Sequence, residues 1–220
     1  MKSFLFKAAC VLCIAGLGLG AFYKSPTQDA AVNSLKAIEV VSLSENDRAA
    51  EMVLKNVSTK NINGYSILIT NGAARTVDLS VGEKTIAPGQ QFKISLPKKE
   101  AIQPIVRFVT FEDGSGEGDM VAIKELQDRR EGRGEQLKRI IPLFRKAYST
   151  ADLEQLRTEL NALPEEQRRD RSIFYLEGQR NAKEDALLSL EKMDKSNIRA
   201  SFMRLADQAN QQLERLATKQ

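Results

Sequence analysis

The spacing of apolar residues changes once along the chain, close to residue 119. Before that point, from Lys36 to Phe111, short runs rich in Val, Ile and Thr alternate apolar with polar side chains, as strands with one buried face do. After Asp119 the apolar residues recur every three or four positions, which is the period of an amphipathic helix. The sequence therefore predicts an α+β fold in which an antiparallel β part precedes a helical part.

Seven strand-like runs occupy the first part, and turn-forming residues separate them. The runs cover residues 36–43, 50–57, 62–70, 75–80, 83–87, 91–96 and 102–111. Seven short antiparallel strands are typical of an immunoglobulin-like β-sandwich, and we expect that fold for residues 32–118. Alternation places these residues together on core-facing sides: Met52 with Leu54, Tyr65 with Ile67 and Ile69, Val77 with Leu79, Phe92 with Ile94, and Val109 with Phe111. For Tyr65 we expect core packing in preference to the stacking of a ligand.

The pattern of residues 119–220 predicts a helical module of four or five helices. Candidate helix starts are N-cap residues at Ser149, Asn181 and Ser196 and a first-turn proline at Pro164. Two features affect the first helix: the glycines of "EGRGE" at 131–135 predict a hinge or break, and the proline at 142 predicts a kink or break.

The last helix carries one apolar stripe, formed by Ile198, Phe202, Leu205, Ala209, Leu213 and Leu216. Such a stripe can close the chain's own bundle or dock into a groove of another protein. We expect the first arrangement, because the preceding helices have apolar faces of their own and a helix alone gains little stability in water.

The N-terminal segment has the composition of a targeting sequence. Lys2 and Lys7 supply positive charge, and residues 8–22 form an uninterrupted apolar run of signal-peptide length. We expect residues 1–31 to be a signal peptide cleaved after Gly20 or, less favourably, near 29–31. The alternative is an uncleaved anchor that holds the protein at the inner membrane through residues 4–22. Both alternatives predict an exported protein of the periplasm, the wider cell envelope or the extracellular space.

The cysteine and histidine content excludes several kinds of site. Both cysteines, Cys10 and Cys13, lie inside the targeting segment, and the chain has no histidine. The rest of the chain therefore has no disulfide, no cysteine nucleophile, no Ser-His-Asp triad and no zinc site built from Cys or His. We predict no catalytic residue, no cofactor and no metal ligand, and hence a protein that acts by binding. One alternative stays open: an envelope enzyme or enzyme inhibitor that uses carboxylates near the domain junction.

The stretch "FEDGSGEGD" at 111–119 raises the question of a calcium loop. A loop beginning at Asp113 matches the early ligand positions, but its twelfth position is Lys124, where a bidentate glutamate is required. The other interpretation is a turn at the Asp-Gly pair that ends the last strand, followed by Asp119 as the N-cap of a helix, with the charge of Glu117 favouring the positive helix end. We expect the turn and cap.

Charge suggests no strongly basic surface, since the net charge is +4 and acidic residues are interspersed with the basic ones. Basic clusters occur at 129–139 and 168–171, and we interpret them as a solvated helical face. Weak attraction to anionic envelope surfaces is the alternative. Nucleic acid is not an expected partner, because aromatic residues are not interleaved for base stacking. The expected partner is an envelope protein, and membrane contact is expected only through the N-terminal segment.

Three stretches, "MVLKNVSTKNINGYSILI" (52–69), "IAPGQQFKI" (86–94) and "VRFVTFEDGSGEGD" (106–119), carry a resemblance to a known class of domain. Residues 36–118 resemble the small immunoglobulin-like β-sandwich domains of uncharacterised exported bacterial proteins. The matching positions are Asn56, Ser58, Tyr65, Pro88, Gly89, Asp113 and Gly114. The resemblance implies architectural roles for them, in an interaction or structural protein of the cell envelope.

Overall fold

The computed structural model describes residues 35–45, 49–69, 74–82, 84–97, 104–166 and 169–217. The signal peptide or anchor expected over residues 1–31 lies outside this part. Seven strands come first: β1 Ile38–Glu45, β2 Ala49–Asn56, β3 Ile62–Leu68, β4 Ala74–Asp78, β5 Gln91–Pro97, β6 Ile105–Phe111 and β7 Gly116–Gly118. Four α-helices follow: α1 Met120–Thr150, α2 Leu153–Asn161, α3 Ile173–Lys192 and α4 Ile198–Ala217.

The strands form two antiparallel sheets. One has the order β1-β2-β5 and the other the order β4-β3-β6-β7. The chain therefore crosses from one sheet to the other between β2 and β3, between β4 and β5, and between β5 and β6. The predicted α+β class, with antiparallel sheets before helices, is confirmed.

Side chains from both sheets meet in one apolar core. Met52 and Leu54 of the first sheet and Val109 of the second have no exposed surface, and the predicted pairing of alternate residues is confirmed there. The ring of Tyr65 is buried and its centroid lies 5.3 Å from that of Phe92. Burial raises the pKa of the Tyr65 hydroxyl. Tyr65 is thus a core residue, as the alternation predicts.

Two strand predictions differ from the structure. The predicted strand at 83–87 is absent from residues 84–87, the part of it that the structure describes. Ile86 forms only a single bridge with Ile62, in which each backbone N–H donates to the carbonyl of the other residue at 2.9 Å. The short strand β7 was not predicted, because three residues that include two glycines are too few for alternation to show. It pairs with β6 and turns residues 111–119 into a hairpin.

Asn56, Ser58 and Gly89 stabilise turns of the β part. The Asn56 side chain is fully buried, and its Nδ2 donates hydrogen bonds of 2.8 Å to the carbonyls of Lys60 and Ile86. Its Oδ1 accepts from the Ser58 N–H and hydroxyl. Gly89 adopts a φ of 77°, in the left-handed region that favours glycine. These contacts fix the turns after β2 and before β5.

Helix α1 is continuous over 31 residues, so a break at "EGRGE" or at Pro142 does not occur. Gly132 of this stretch and Gly178 of α3 instead serve a close crossing of α1 and α3. A Cβ added at Gly132 would lie 1.9 Å from the Tyr175 carbonyl oxygen, and one added at Gly178 would lie 2.0 Å from the Arg129 carbonyl oxygen. Only glycine allows the two backbones to approach so closely.

The candidate helix starts are also wrong. Helix α1 continues to Thr150, and Asp152 rather than Ser149 caps α2 by accepting from the Gln155 N–H at 2.9 Å. Pro164 lies between α2 and α3, Asn181 lies inside α3, and Ser196 lies in a 3₁₀ turn before α4. Short polar side chains satisfy backbone donors in many settings, so their presence alone does not locate a helix end.

The stripe of α4 packs within the chain's own bundle, as expected. Phe202 has no exposed surface, and Leu205 and Ala209 are buried in the same core as Leu137 and Phe144 of α1. None of the described helices is long and apolar enough to cross a membrane.

Candidate functional site

The two parts of the chain meet through an apolar contact between β6 and α1. Phe108 has no exposed surface and clusters with Ala122, Ile123 and Leu126 of α1. Full burial of one such aromatic side chain contributes about 1.5–3 kcal/mol. The second sheet is therefore covered by the helical module where α1 begins.

A buried polar network lies beside this contact and is centred on Arg130. The guanidinium group donates from Nε and Nη2 to Asp78 Oδ1, at 3.0 and 2.8 Å. Nη2 also donates to the Asn63 carbonyl at 2.9 Å and lies 3.4 Å from Thr110 Oγ1. The exposed fractions of the Arg130 and Asp78 side chains are only 13% and 14%. One arginine of the helical module thus joins strands β3, β4 and β6.

Gly64 makes room for this arginine. A Cβ at this position in β3 would lie 2.7 Å from Thr110 Oγ1 and 2.8 Å from Arg130 Nη2. A glycine inside a strand often marks a site of close approach by another group. The sequence analysis did not single out Gly64, although a glycine inside a strand is the one local signal of the junction; its partner lies 66 positions later in the chain.

Helix α4 adds a second connection to the β part. Gln212 Nε2 donates to the Val81 carbonyl at 3.1 Å, and Arg215 Nε donates to the Ser80 carbonyl at 3.3 Å. Ser80 in turn donates from its N–H and its hydroxyl to Asp78 Oδ1. The turn that follows β4 is therefore held by both α1 and α4.

Two concave regions flank the junction. The α4-side cleft, with a volume of ≈ 400 Å³, is lined among others by Asn63, Lys124, Asp128, Glu131, Arg171 and Arg215. The β4-side cavity, also ≈ 400 Å³, is lined among others by Thr76, Asp78, Arg129, Arg133, Glu177 and Asn181. Both volumes fall within the range of small-molecule sites.

The carboxylates of the α4-side cleft are paired. Asp128 accepts from the Ser172 N–H at 2.9 Å and from Lys124 Nζ at 3.2 Å. Glu131 Oε2 lies 2.7 Å from Arg171 Nη2. Burial opposes the charged form of Asp128, but the hydrogen bonds from Ser172 and Lys124 outweigh burial, and the pKa of Asp128 is lowered. A carboxyl group in this state is a poor proton donor at neutral pH.

The structure also answers the question raised by residues 111–119. Asp119 caps α1 by accepting from the Val121 and Ala122 N–H groups at 3.0 and 3.1 Å, as predicted. The Ala122 hydrogen bond and the adjacent Arg107 lower the pKa of Asp119.

The other two carboxylates of this stretch have separate partners. Asp113 Oδ2 lies 2.6 Å from Lys60 Nζ, and that contact holds the pKa of Asp113 well below its usual range. Glu117 does not act at the helix end as expected. It accepts from the backbone N–H groups of Lys36 and Ala37 and so fixes the start of β1. Within the described ranges, no group of three or more metal-ligating side chains is placed to hold a metal ion.

The interpretation of cluster 129–139 as a solvated face is wrong for its first arginines. The exposed fractions of the Arg129, Arg130 and Arg133 side chains are 24%, 13% and 8%, and each is paired with a carboxylate of another element. In cluster 168–171, Arg171 pairs with Glu131 of α1. These four arginines therefore lie at contacts between elements, which charge content alone did not indicate.

Comparison of the chain with models of protein families, with curated proteins and with solved structures found no match. The assignment of a site therefore depends on the geometry of the junction.

Proposed function

We propose that this chain is an exported cell-envelope protein that acts by binding, rather than by catalysis, at the junction between an immunoglobulin-like β-sandwich and a helical module. The basic N-terminus and the apolar run at 8–22 support export. The expected partner is another envelope protein or a ligand bound to such a protein.

The strand order supports the immunoglobulin-like assignment. In such domains the first, second and fifth strands share one sheet, and the third strand shares the other sheet with the last two. Here β1, β2 and β5 form one sheet, while β3, β6 and β7 belong to the other, with β4 added beside β3 as in variable-type domains.

The observation that carries the binding proposal is the state of the polar groups at the junction. The carboxylates Asp78, Asp128 and Glu131 are paired with cations, and the pKa of Asp128 is lowered. Carboxylates held charged and paired in this way are poorly suited to proton transfer, which favours a binding role over catalysis.

Export is tested by fusing residues 1–31 to a reporter that is active only outside the cytoplasm. We expect reporter activity, and we expect its loss when Leu12→Arg places a charge in the apolar run. An inactive reporter behind the natural segment would contradict the proposal.

Binding at the junction is tested by affinity capture from envelope extracts with three proteins. These are the natural chain, a Gln127→Trp variant that places bulk in the α4-side cleft, and an Arg145→Ala variant altered on the exposed part of α1. We expect the first and third to retain the same partner and Gln127→Trp to lose it. Equal capture by all three would place the binding surface elsewhere.

A further inference from the structure

Strand β4 has one free edge. Among the described strands it is the last in the order β4-β3-β6-β7, and β3 pairs with it on one side only. In an antiparallel pair, alternate residues direct their backbone N–H and C=O groups to the partner strand. The Leu79 N–H donates to the Asn63 carbonyl, which sets the phase of this alternation. The backbone groups of three residues therefore point away from β3, namely those of Ala74, Thr76 and Asp78.

The other edges of the two described sheets are protected against an added strand. Strand β1 contains a β-bulge, and β7 is only three residues long. Strand β5 has Lys93 at its centre, and its Ser95 carbonyl accepts from Arg75 Nη1 at 3.0 Å. Bulges, short strands and lysines are the usual protections of a sheet edge. The pairing of β4 with β3 has no bulge, and residues 74–76 are exposed, so the β4 edge is open to solvent.

The β4-side cavity lies beside this edge. It has a volume of ≈ 400 Å³ and is lined by Thr76 and Asp78 of β4 and by Glu177 and Asn181 of α3, among others. The Asp78 side chain points to the helices, where it pairs with Arg130, and the Thr76 side chain shares its face because alternate residues of a strand do so. Strand β4 and helix α3 thus line one groove.

We infer that this groove binds an extended segment of a partner protein, which adds to β4 as a further strand. In this mode of recognition the backbone groups of the edge supply hydrogen bonds, and a pocket accepts alternate side chains of the added strand. The cavity lining contains two carboxylates, Asp78 and Glu177, and two guanidinium groups, Arg129 and Arg133. A charged side chain would meet a like charge there. An uncharged side chain that both donates and accepts, such as the amide of asparagine or glutamine, matches this lining.

The inference is tested by selecting short random peptides from a displayed library on the purified protein and following the amides of the protein by NMR while the selected peptide is bound. We expect the Thr76 and Asp78 amides to exchange with solvent at least about tenfold more slowly, because their N–H groups then have acceptors. The Lys93 amide at the β5 edge should exchange at an unchanged rate. Protection at Lys93 in place of Thr76, or a library that yields no binding peptide, would overturn the inference.

N-methylated forms of the selected peptide test the backbone pairing itself. A strand directs only alternate N–H groups to a given neighbour. Methylation of one alternate set of peptide amides should therefore abolish binding, and methylation of the other set should leave the affinity unchanged. Equal effects of the two methylation patterns would contradict strand addition.

Three protein variants assign the groove. Thr76→Pro removes the central N–H of the edge, at a position where an edge strand tolerates proline, and should weaken peptide binding at least about tenfold. Lys93→Pro makes the same change at the β5 edge, where the N–H also points away from the sheet, and should bind as the natural protein does. Asn181→Trp places bulk in the groove from α3, leaves β4 intact, and keeps the test valid if Thr76→Pro fails to fold. Unchanged affinity in Asn181→Trp would contradict the assignment.

The inference rests on the proposed binding role and deepens it by stating which part of the partner is recognised, and the two can fail separately. Peptide binding at Thr76 together with a loss of export or of envelope capture would overturn the envelope role and leave the groove. Retained export and capture without protection of Thr76 would overturn the groove alone. A dimer of the natural protein that Thr76→Pro dissociates would show that a second copy occupies the edge, and would also overturn the inference.

Discussion

Alanine in place of Gly132 tests how closely α1 and α3 pack, and Gly134 two residues later provides a matched control. An added Cβ at Gly132 would lie 1.9 Å from the Tyr175 carbonyl oxygen. At Gly134 the nearest atom, Cδ1 of Leu213, would lie 3.7 Å away, an ordinary contact distance. The same substitution in the same helix thus clashes with a backbone in one case and makes an ordinary side-chain contact in the other.

The expected effects have opposite signs. In a helix interior alanine is favoured over glycine by about 1 kcal/mol, so Gly134→Ala should raise the free energy of unfolding by about 0.5–1 kcal/mol. Gly132→Ala gains the same propensity, but α1 and α3 must separate by roughly 1.5 Å to restore a normal C···O distance. Overpacking of this kind costs about 1–3 kcal/mol, and the lost contacts along the helix crossing add to it. We expect a net loss of about 1–3 kcal/mol.

Urea unfolding of the two variants and the natural protein gives the comparison directly. Gly178→Ala, whose Cβ would lie 2.0 Å from the Arg129 carbonyl oxygen, should resemble Gly132→Ala. The variant that combines Gly132→Ala and Gly178→Ala should lose less stability than the sum of the two single losses, because one separation of α1 and α3 relieves both clashes. Equal stability of Gly132→Ala and Gly134→Ala would contradict a close crossing of α1 and α3 at Gly132.

Four further outcomes are expected. Arg130→Met should lower the free energy of unfolding by about 2–3 kcal/mol, because it leaves the largely buried Asp78 carboxylate without its cation. A loss below about 0.5 kcal/mol, measured by urea unfolding, would refute this expectation. Gln136→Leu should raise the free energy of unfolding by about 1 kcal/mol, because the Gln136 amide is fully buried and neither of its polar atoms has a partner. Destabilisation would show that the amide is hydrogen-bonded in solution. The lowered pKa of Asp128 contributes stability that is complete above the usual aspartate value of 3.8 and is lost as the pH falls through the folded-state pKa. Asp128→Asn should therefore be less stable at neutral pH and lose less stability on acidification, and parallel profiles would contradict this. Calcium should leave the melting temperature unchanged, because the carboxylates of 111–119 bind separate partners; a saturable rise would restore the calcium loop.

The predictions that the structure confirms depend on local pattern. Met52 and Leu54 are core residues because alternate positions of a strand share a face, which can be read without knowing the partner strand. Asp119 caps α1 because its acceptor contacts donors only two and three residues away. Such features need no knowledge of tertiary structure.

The predictions that failed depend on partners distant in sequence. The "EGRGE" stretch and Pro142 disfavour a helix locally, yet α1 continues through both, because packing along α1 outweighs intrinsic propensity. Glu117 lies beside a helix start, but its partners are the N–H groups of Lys36 and Ala37, about 80 positions earlier.

The junction itself shows the same limit. Arg130 has the charge expected of a residue on a solvated helical face, and its place in the junction depends on Asp78, 52 residues earlier in the chain. Gly64 was the local sign of a close approach inside a strand. It did not identify the approaching residue, because a missing Cβ is compatible with many partners.

The central structural claim is that the Arg130 network and Phe108 join the β part and the helical module into one cooperative unit. Native-state hydrogen exchange of the natural protein tests it most directly. We expect the slowest amides of β3, β6 and α1 to share one opening free energy, equal to that of global unfolding. The claim would be contradicted if the amides of β3 and β6 exchanged through an opening that leaves α1 protected. Exchange of the α1 amides while the strands stay protected would contradict it equally.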